Sequence, residues 1–315
     1  MTSAPAWPAL VFGWAMALGA VWLLAIVNAS LARFRAQGLW MQHGAGAPAR
    51  EVLRCLFKEP RDVHGADSLA WRLAPLLLLT LGGALLAFGP FGGALGLPAG
   101  LLVPLAALVL GAALQFVTGW AVNSGYALIG AGRALGLMVA ALVPLALSLA
   151  ALAVPAGSLQ LDALVRSQQD STWAIVQQPL GALLYLHCAS LLAGWGPVDG
   201  PVDARLAGGV EAEMSGAPLL VWRLGRYLLL LGTATLAVPL YLGNGEGPIL
   251  PPTAWVALKA LGVAVIMLMA YHLLPRRSLS RAITESWRFL APLALLNLAW
   301  ALGLAVGGGL DGAAG

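Results

Sequence analysis

Eight long apolar runs determine what this chain can fold into. Each is close to the roughly 20 residues that an α-helix needs to cross a hydrocarbon core of about 30 Å. None alternates apolar and polar residues as an outer-membrane barrel strand does, so helices are the remaining way to pair the backbone within lipid. The sequence predicts an all-α polytopic membrane protein, with residues 1–315 as a single transmembrane domain. The runs lie at about 9–30, 69–89, 94–118, 133–154, 172–194, 218–242, 254–274 and 287–307.

Composition agrees with this prediction. The chain is 60% hydrophobic and 10% charged, whereas soluble domains average roughly 25% charged residues. We attribute the net charge of +4 to membrane topology and not to binding of nucleic acid, and we expect membrane lipids around the chain. Tryptophans near the ends of the runs are interpreted as an aromatic belt at the lipid headgroups. They are Trp7, Trp40, Trp195, Trp255 and Trp287.

The basic residues are distributed unevenly between the two ends of the predicted helices. Of the 17 Lys and Arg residues, 15 fall on one side, leaving Arg166 opposite and Lys259 inside the seventh run. Cytoplasmic loops hold an excess of Lys and Arg, so the loops at about 31–68, 119–132, 195–217 and 275–286 are predicted to be cytoplasmic. Both termini are then predicted on the non-cytoplasmic side of the cell inner membrane. No positive charge precedes the first run, which we interpret as a retained anchor and not as a cleaved signal peptide.

Residues that usually hold metals or carry out catalysis are few and scattered. Cys55 and Cys188 are far apart and form no C-x-x-C pair, and the four histidines are dispersed as well. Neither an iron–sulfur cluster nor a zinc site is expected from this chain alone, and it has no P-loop, H-E-x-x-H or G-x-S-x-G motif. We therefore predict no catalytic, metal-binding or cofactor-binding residue here, and we assign any redox centre to a partner protein.

The loop between the first two runs contains an amphipathic segment, REVLRCLFKEP. Its apolar residues Val52, Leu53, Leu56 and Phe57 recur at helical spacing. The charged residues take the opposite face, among them Arg54 and Lys58. This spacing predicts a short helix that lies on the membrane surface or against a partner.

Four stretches in a fixed order carry a resemblance that covers nearly the whole chain. They are REVLRCLFKEPRDVHGADSLAWRLAP, QQPLGALLYL at 177–186, EMSG at 213–216, and PRRSLSRAITESWRFLAP, which contains Pro275, Arg276, Trp287, Arg288 and Pro292. This sequence resembles the membrane-embedded H subunit of bacterial respiratory complex I and its homologue in energy-converting nickel–iron hydrogenases such as formate hydrogenlyase. The resemblance implies a non-catalytic membrane component that docks a peripheral arm. That arm would hold iron–sulfur clusters with either a quinone site or a nickel–iron centre, and antiporter-like membrane subunits would be the other partners.

Several polar positions of that family are changed in this sequence. Aligned on Arg133 and Pro144, the chain has Leu142 where the family has a buried Glu. An intramembrane acid is normally retained for proton or ion handling, so these changes imply that the usual acidic proton path is largely lost. Quinone reduction becomes less expected, which favours a hydrogenase-type relative. The other changed positions are Leu192, Gly194, Trp195, Arg226 and Ser280.

An acidic segment rich in Gly and Pro, GPVDGPVDARLAGGVEAEMSG, occupies residues 196–216. We expect its acids Asp199, Asp203, Glu211 and Glu213 to form a docking and lining surface beneath the peripheral arm. The alternative is a solvated loop in which Glu213 and Ser215 cap the sixth span.

The basic candidates for docking or coupling lie on both sides of this segment. Arg223 and Arg226 share one helix face and either meet a partner or an acid, or extend to the headgroups. Arg54, Lys58 and Arg133 complete the set.

Two other functions remain open at this stage. The first is the quinone-binding subunit of a true NADH:quinone oxidoreductase, against which the changes at 192–195 argue. The second is a stand-alone secondary transporter, which would use inverted repeats around a midplane site. No convincing internal repeat relates the two halves of the sequence, and the deep charges lie near helix ends.

Overall fold

A computed structural model describes residues 7–38, 46–61, 63–89 and 100–313. Within these ranges the chain forms α-helices and short helical turns, and the two β-bridges there are isolated. The predicted all-α fold is confirmed. The helices are α1 (Trp7–Gln37), α2 (Ala47–Phe57), α3 (Ser68–Leu85), α4 (Leu102–Ala121), α5 (Gly125–Ala156), α6 (Leu161–Gln169), α7 (Ala174–Gln177), α8 (Pro179–Leu192), α9 (Gly216–Tyr241), α10 (Pro252–Leu273), α11 (Leu279–Glu285) and α12 (Ala291–Ala313).

Seven helical segments among the described residues are long and apolar enough to cross a membrane. They lie at Gly13–Ala36, Ser68–Phe88, Leu102–Ala121, Gly125–Ala156, Gly216–Tyr241, Pro252–Leu273 and Leu279–Val306. The last of these joins α11 to α12 through a π-helical turn at Ser286–Leu290. Seven of the eight predicted runs therefore correspond to membrane-length helices.

The remaining run, 172–194, is broken into α7 and α8 at Gln178. Its backbone (φ −135°, ψ 63°) is not helical, because the following Pro179 disfavours the α conformation at the residue before it. The Gln178 side chain is buried, where it donates to Ala151 O (3.1 Å) and accepts from Asn297 (3.3 Å). With 14 residues α8 is about 21 Å long, shorter than a hydrocarbon core.

Helix α9 is the centre of the bundle. Its side chains from Leu228 to Tyr241 are all buried, as expected for a helix that is apolar on every side. Helix α3 lies directly against it, since a Cβ on Gly82 would come 2.7 Å from Leu229 N and one on Gly232 would come 2.6 Å from Leu85 Cβ. Small residues allow this close approach of two helix backbones, which is how membrane helices gain packing energy.

The predicted loop at 119–132 is almost entirely helical. Only residues 122–124 separate α4 from α5, whose first turns extend past the expected boundary of the apolar run. The extension is stabilised by packing, because Ala127 and Ala131 are buried and a Cβ on Gly130 would lie 2.6 Å from Pro201 O. The predicted amphipathic helix is confirmed as α2, and α11 occupies most of the predicted loop at 275–286.

Candidate functional site

The candidate site lies at one end of the bundle. We call it the basic end, because it carries the 15 Lys and Arg residues that the sequence assigns to one side of the membrane. Here α1, α4, α8 and α10 end while α3, α5, α9 and α11 begin. Segment 195–217 folds back across this end and contacts the neighbouring loops. Asp199 N donates to Arg277 O (2.9 Å), and Ser215 Oγ donates to Glu59 O (3.0 Å). Three loops that are distant in sequence thus form one connected structure.

The glycines of segment 195–217 have a structural role. Ala207, Gly208 and Gly209 all have positive φ, which turns the chain back so that Val210 N donates to Pro201 O (3.0 Å). A Cβ on Gly209 would lie 2.2 Å from that same Pro201 oxygen. Only a residue without a Cβ fits this left-handed position, which accounts for the density of glycine here.

Glu211 is the centre of the first ion-pair cluster. Its carboxylate accepts from Arg223 Nε (2.9 Å) and Nη2 (2.7 Å) and from Trp222 Nε1 (3.2 Å), and Arg226 Nη1 is 3.6 Å away. Arg223 also pairs with Glu51 of α2. The side chains of Glu211 and Arg226 are 9% and 6% exposed, so their ion pair is buried, whereas Arg223 and Glu51 are partly exposed. Both arginines pair with acids, which excludes the alternative that they extend to the headgroups unpaired.

Asp203 is the centre of the second cluster and is 3% exposed. It accepts from Arg133 Nη1 (2.9 Å) and from Arg205 N (3.1 Å), with Arg276 Nη1 at 3.6 Å. Burial raises the pKa of a carboxyl group, but these hydrogen bonds and the two arginine charges outweigh it and hold the pKa of Asp203 below its ordinary value. Its contribution to stability is therefore present above the ordinary carboxyl pKa and is lost as pH falls through the lowered pKa.

The other two acids of the segment are less buried. Asp199 pairs with Arg205 (3.4 Å), while Glu213, 28% exposed, lies 3.8 Å from Arg61 and accepts from Ser124 (3.2 Å). The part of the alternative in which Ser215 caps the sixth span does not hold. Ser215 makes no side-chain hydrogen bond to α9, because its hydroxyl is engaged by Glu59 O and Arg61 N.

A cavity of about 830 Å³ opens beside both clusters, between α1, α2, α9, the end of α10 and segment 195–217. Its apolar part is lined by residues such as Leu18, Trp22 and Leu224. Its polar part contains Glu211, Asp203 and the arginines that pair with them, except Arg133. The sequence offered no direct sign of this cavity, because its walls come from helices far apart in the chain.

Trp195 is buried in the wall of this cavity, 4% exposed, so its assignment to an aromatic belt is wrong. Its ring lies under the guanidinium of Arg226 (4.5 Å to the centroid) and beside the rings of Tyr227 (5.2 Å) and Tyr271 (5.3 Å). Arg276 stacks over Tyr271 (4.7 Å). Trp287 is exposed, as a belt residue would be, and Trp40 lies outside the described residues.

Helix α2 covers one side of the cavity. Val52 and Cys55 line it, whereas Leu53, Leu56 and Phe57 are exposed on the outer side of the helix. Arg54 is 79% exposed and 3.7 Å from Glu51, and Lys58 is also exposed. These two cations are therefore available to a partner, whereas Arg133, Arg223 and Arg226 are engaged within the chain.

The positions where family acids are expected are occupied by groups that do not exchange protons. Leu192 is buried at the end of α8, Leu142 is half-buried in α5, and Ser280 is exposed in α11. Deeper in the bundle, Ser148 and Tyr241 are buried, uncharged polar groups that share a hydrogen bond (2.9 Å). Within the described ranges, no group of three or more His, Cys, Asp or Glu side chains is arranged to hold a metal ion.

Comparison with known proteins identifies a matching family model and several relatives of this chain. A family model described as NADH dehydrogenase matches residues 11–302. The H 2 subunit of the NADH-quinone oxidoreductase of Cereibacter sphaeroides is 34% identical over 261 residues, 82% of each chain. The H 1 subunit of the corresponding Rhodopseudomonas palustris enzyme is 36% identical over 254 residues, 79% of each chain.

The fold also matches a solved structure. That solved structure is a chain of the membrane-bound sulfane sulfur reductase, an archaeal respiratory membrane complex. The TM-score of the match is 0.79 and the sequence identity is 20%. The match covers 93% of this chain and 99% of that one. At this identity the similarity establishes the fold.

Proposed function

We propose that this chain, which belongs to the NADH dehydrogenase family, is the membrane-embedded anchor and coupling subunit of a complex I-like respiratory complex. It docks a peripheral iron–sulfur arm to ion-translocating membrane subunits. The iron–sulfur clusters, and a nickel–iron centre in a hydrogenase-type complex, belong to those partners. The chain itself supplies a scaffold and charged groups.

The observation that carries this proposal is the construction of the basic end. Glu211 links segment 195–217 to α9 and, through Arg223, to α2, while Asp203 links the same segment to α5 and to Arg276. This holds the loops in one fixed surface, as a rigid dock requires. Arg54 and Lys58 remain exposed on that surface and provide cationic contacts for a partner.

Reversing these two charges tests the dock. In the Arg54→Glu, Lys58→Glu variant we expect the peripheral arm to dissociate during purification in moderate salt. The helices should stay inserted, because among the described residues these two side chains make one ion pair, the exposed Arg54–Glu51 pair. Arg166→Glu is the matched control, since Arg166 is exposed at the opposite end of the bundle. Recovery of the arm at wild-type yield with the double variant would show that the dock lies elsewhere.

We propose in addition that the acidic proton path usual in this family is largely lost here. Leu142 and Leu192 cannot exchange a proton, and Arg226 remains charged at any working pH. Glu213, 28% exposed, is the most exposed acid of segment 195–217, and it lies beside Arg61 and Ser124. Ion movement coupled to electron transfer then runs through other membrane subunits.

This proposal predicts the effect of removing Glu213. With Glu213→Gln in the reconstituted complex, the number of ions moved per electron is expected to equal that of the wild type, because no chain of titratable groups leads from this position within the described part of the chain. The measurement is ion uptake into liposomes against electron-transfer rate. A clear fall in that ratio, with assembly and rate intact, would reveal a surviving acidic path through this chain.

The proposed orientation puts the basic end in the cytoplasm and both termini outside it. A cysteine at Ser278, an exposed position, should be labelled by a membrane-impermeant maleimide only from the cytoplasmic side. A cysteine at exposed Ser171, near the other end, should be labelled only from outside. Background labelling is low since Cys55 and Cys188 are both buried. The reverse pattern would overturn the orientation.

Within the family we favour a hydrogenase-related complex. Trp195 takes the place of a family Arg and stacks on Arg226, so the polar end of the cavity differs from the one that the resemblance implies for quinone reduction. The second candidate is quinone reduction in an NADH:quinone oxidoreductase. It is favoured by the cavity itself, whose 830 Å³ falls within the range of small-molecule sites, and by the names of the relatives.

A further inference from the structure

The end of the bundle opposite the basic end, which we call the outer end, contains a lysine inside a membrane-length helix. Lys259 lies about two turns into α10, and its side chain is half-buried. A lysine at this depth ordinarily extends to the lipid headgroups. Here its ammonium group binds the C-terminal end of α9 instead, so the fold itself uses this charge.

The Lys259 ammonium contacts three backbone carbonyls of the segment that follows α9. It donates to Leu242 O (2.6 Å), Asn244 O (3.0 Å) and Glu246 O (2.8 Å). An ammonium group has three N–H donors, so all of them are satisfied. The unpaired carbonyls and the negative end of the dipole at the C-terminus of a helix favour a cation at this place.

Two tryptophans complete the surroundings of the ammonium. Lys259 Nζ lies over the ring of Trp173, 4.2 Å from its centroid, and 6.0 Å from the centroid of Trp255. Trp173 is held in place in turn, since its Nε1 donates to Glu246 Oε2 (2.8 Å). Carbonyl oxygens on one side and the face of an indole on the other are a combination that binds ammonium cations.

The backbone of segment 242–247 is shaped for this contact. Gly243 (φ +64°) and Asn244 (φ +48°) are left-handed, which turns the chain so that the carbonyls of alternate residues meet at one cation. A Cβ on Gly243 would lie 2.3 Å from Trp173 Nε1. Glycine is therefore needed at position 243 both for the turn and for the close approach of the indole.

We propose that segment 242–247 and Trp173 form a binding site for a primary ammonium group, and that the chain fills this site with its own Lys259. The contact joins α10 to the C-terminal end of α9 and fixes the outer end of the bundle. This inference goes beyond the proposed function, because it assigns a binding site at the end of the bundle away from the dock, whichever redox partner the complex has.

Removing the ammonium group tests the site in the intact purified complex. In Lys259→Ala we expect the amides of segment 242–247 to exchange with deuterium at least about tenfold faster, because the loss of even one charge-assisted hydrogen bond gives that factor. Added n-propylammonium supplies the atoms that the substitution removes and should restore the slow exchange. Tetramethylammonium, a cation without N–H groups, should restore it far less. Equal recovery with both cations, or recovery with neither, would contradict an ammonium site.

Arg166→Ala is the matched control for Lys259→Ala. Arg166 is a cation at the same end of the bundle, but it is exposed and its Nε donates to Asp162 O within α6. Exchange in segment 242–247 should therefore stay at the wild-type rate in this variant. The same acceleration in both variants would show a general effect of lost positive charge and would overturn the proposal.

The unmodified chain offers a second test, which does not depend on the folding of a variant. Its only lysines are Lys58 and Lys259, so acetylation of each amine can be followed separately by peptide mass. In the intact complex Lys259 should be acetylated at least about tenfold more slowly than after denaturation in SDS, because all three of its N–H groups are engaged. Equal rates in the native and the denatured complex would contradict the proposed site.

Discussion

Replacing Glu211 by Gln is expected to lower the free energy of unfolding by about 3 kcal/mol, because it leaves the buried Arg226 without its acid. Arg226 would lose the one carboxylate that pairs with it among the described residues, while Arg223 would keep Glu51. The estimate is therefore at the low end of what breaking a buried ion pair costs. The measurement is the thermal unfolding midpoint of the purified protein in detergent, together with the yield of assembled complex.

Glu213→Gln is the matched control for this variant. Glu213 lies two residues further along, is 28% exposed, and pairs at 3.8 Å with an Arg61 that is 70% exposed. A pair of this kind contributes about 0–1 kcal/mol. Equal unfolding midpoints for the two variants would contradict the assignment of Glu211 as the acid that organises the basic end.

Replacing Gly209 by Ala is expected to destabilise segment 195–217 by about 3 kcal/mol, from the left-handed backbone and the steric overlap together. The overlap is with backbone, since the new Cβ would lie 2.2 Å from Pro201 O, and a carbonyl held by Val210 N cannot rotate away. Thermal unfolding and limited proteolysis within 195–217 would measure the effect.

Gly132→Ala provides the opposite expectation in the same protein. Gly132 lies inside α5 at an exposed position, and a Cβ there would meet nothing within 4 Å. Alanine is preferred to glycine inside a helix by about 0.5–1 kcal/mol, so this variant should be slightly more stable than the wild type. If Gly209→Ala were as stable as Gly132→Ala, segment 195–217 would not be the rigid loop described above.

The membrane helices were the part of the fold that the sequence predicted best. Hydropathy reports directly on burial in lipid, so seven of the eight runs are helices of membrane length. The helix break at Gln178 was not predicted, because the apolar run continues on both sides of it. Pro179 is the sequence signal for this break, since proline disfavours the α conformation at the residue before it. The extension of α5 below the expected boundary depends on packing against Pro201 and Val210, which local sequence does not encode.

The candidate site was predicted as residue types but not as an arrangement. The sequence singled out Glu211, Asp203, Arg223 and Arg226, and the structure brings each of them to the cavity wall. It treated the acids as a surface, whereas Glu211 and Asp203 are buried because Arg223 and Arg133 reach them from helices elsewhere in the chain. Pairings between residues 12 and 70 positions apart follow from the tertiary fold and have no local signature.

The residues at positions 195 and 226 are another feature that only the structure explains. By the resemblance, residue 195 is an Arg and residue 226 a Glu in relatives, whereas here they are Trp and Arg. Arg226 stacks on Trp195, so a positive charge remains in this part of the cavity although the acid is gone. The sequence alone showed both as changed positions and did not relate them to each other.

The central claim is that this chain is a structural subunit of a complex I-like assembly, and purification of the native complex through a tag on the full chain tests it most directly. Co-eluting proteins would be identified by mass, and iron and nickel would be quantified. The account predicts a peripheral protein with iron–sulfur clusters together with antiporter-like membrane subunits, in amounts matched to this chain. Recovery of the chain alone, without iron and without other membrane subunits, under conditions that preserve its fold would contradict it.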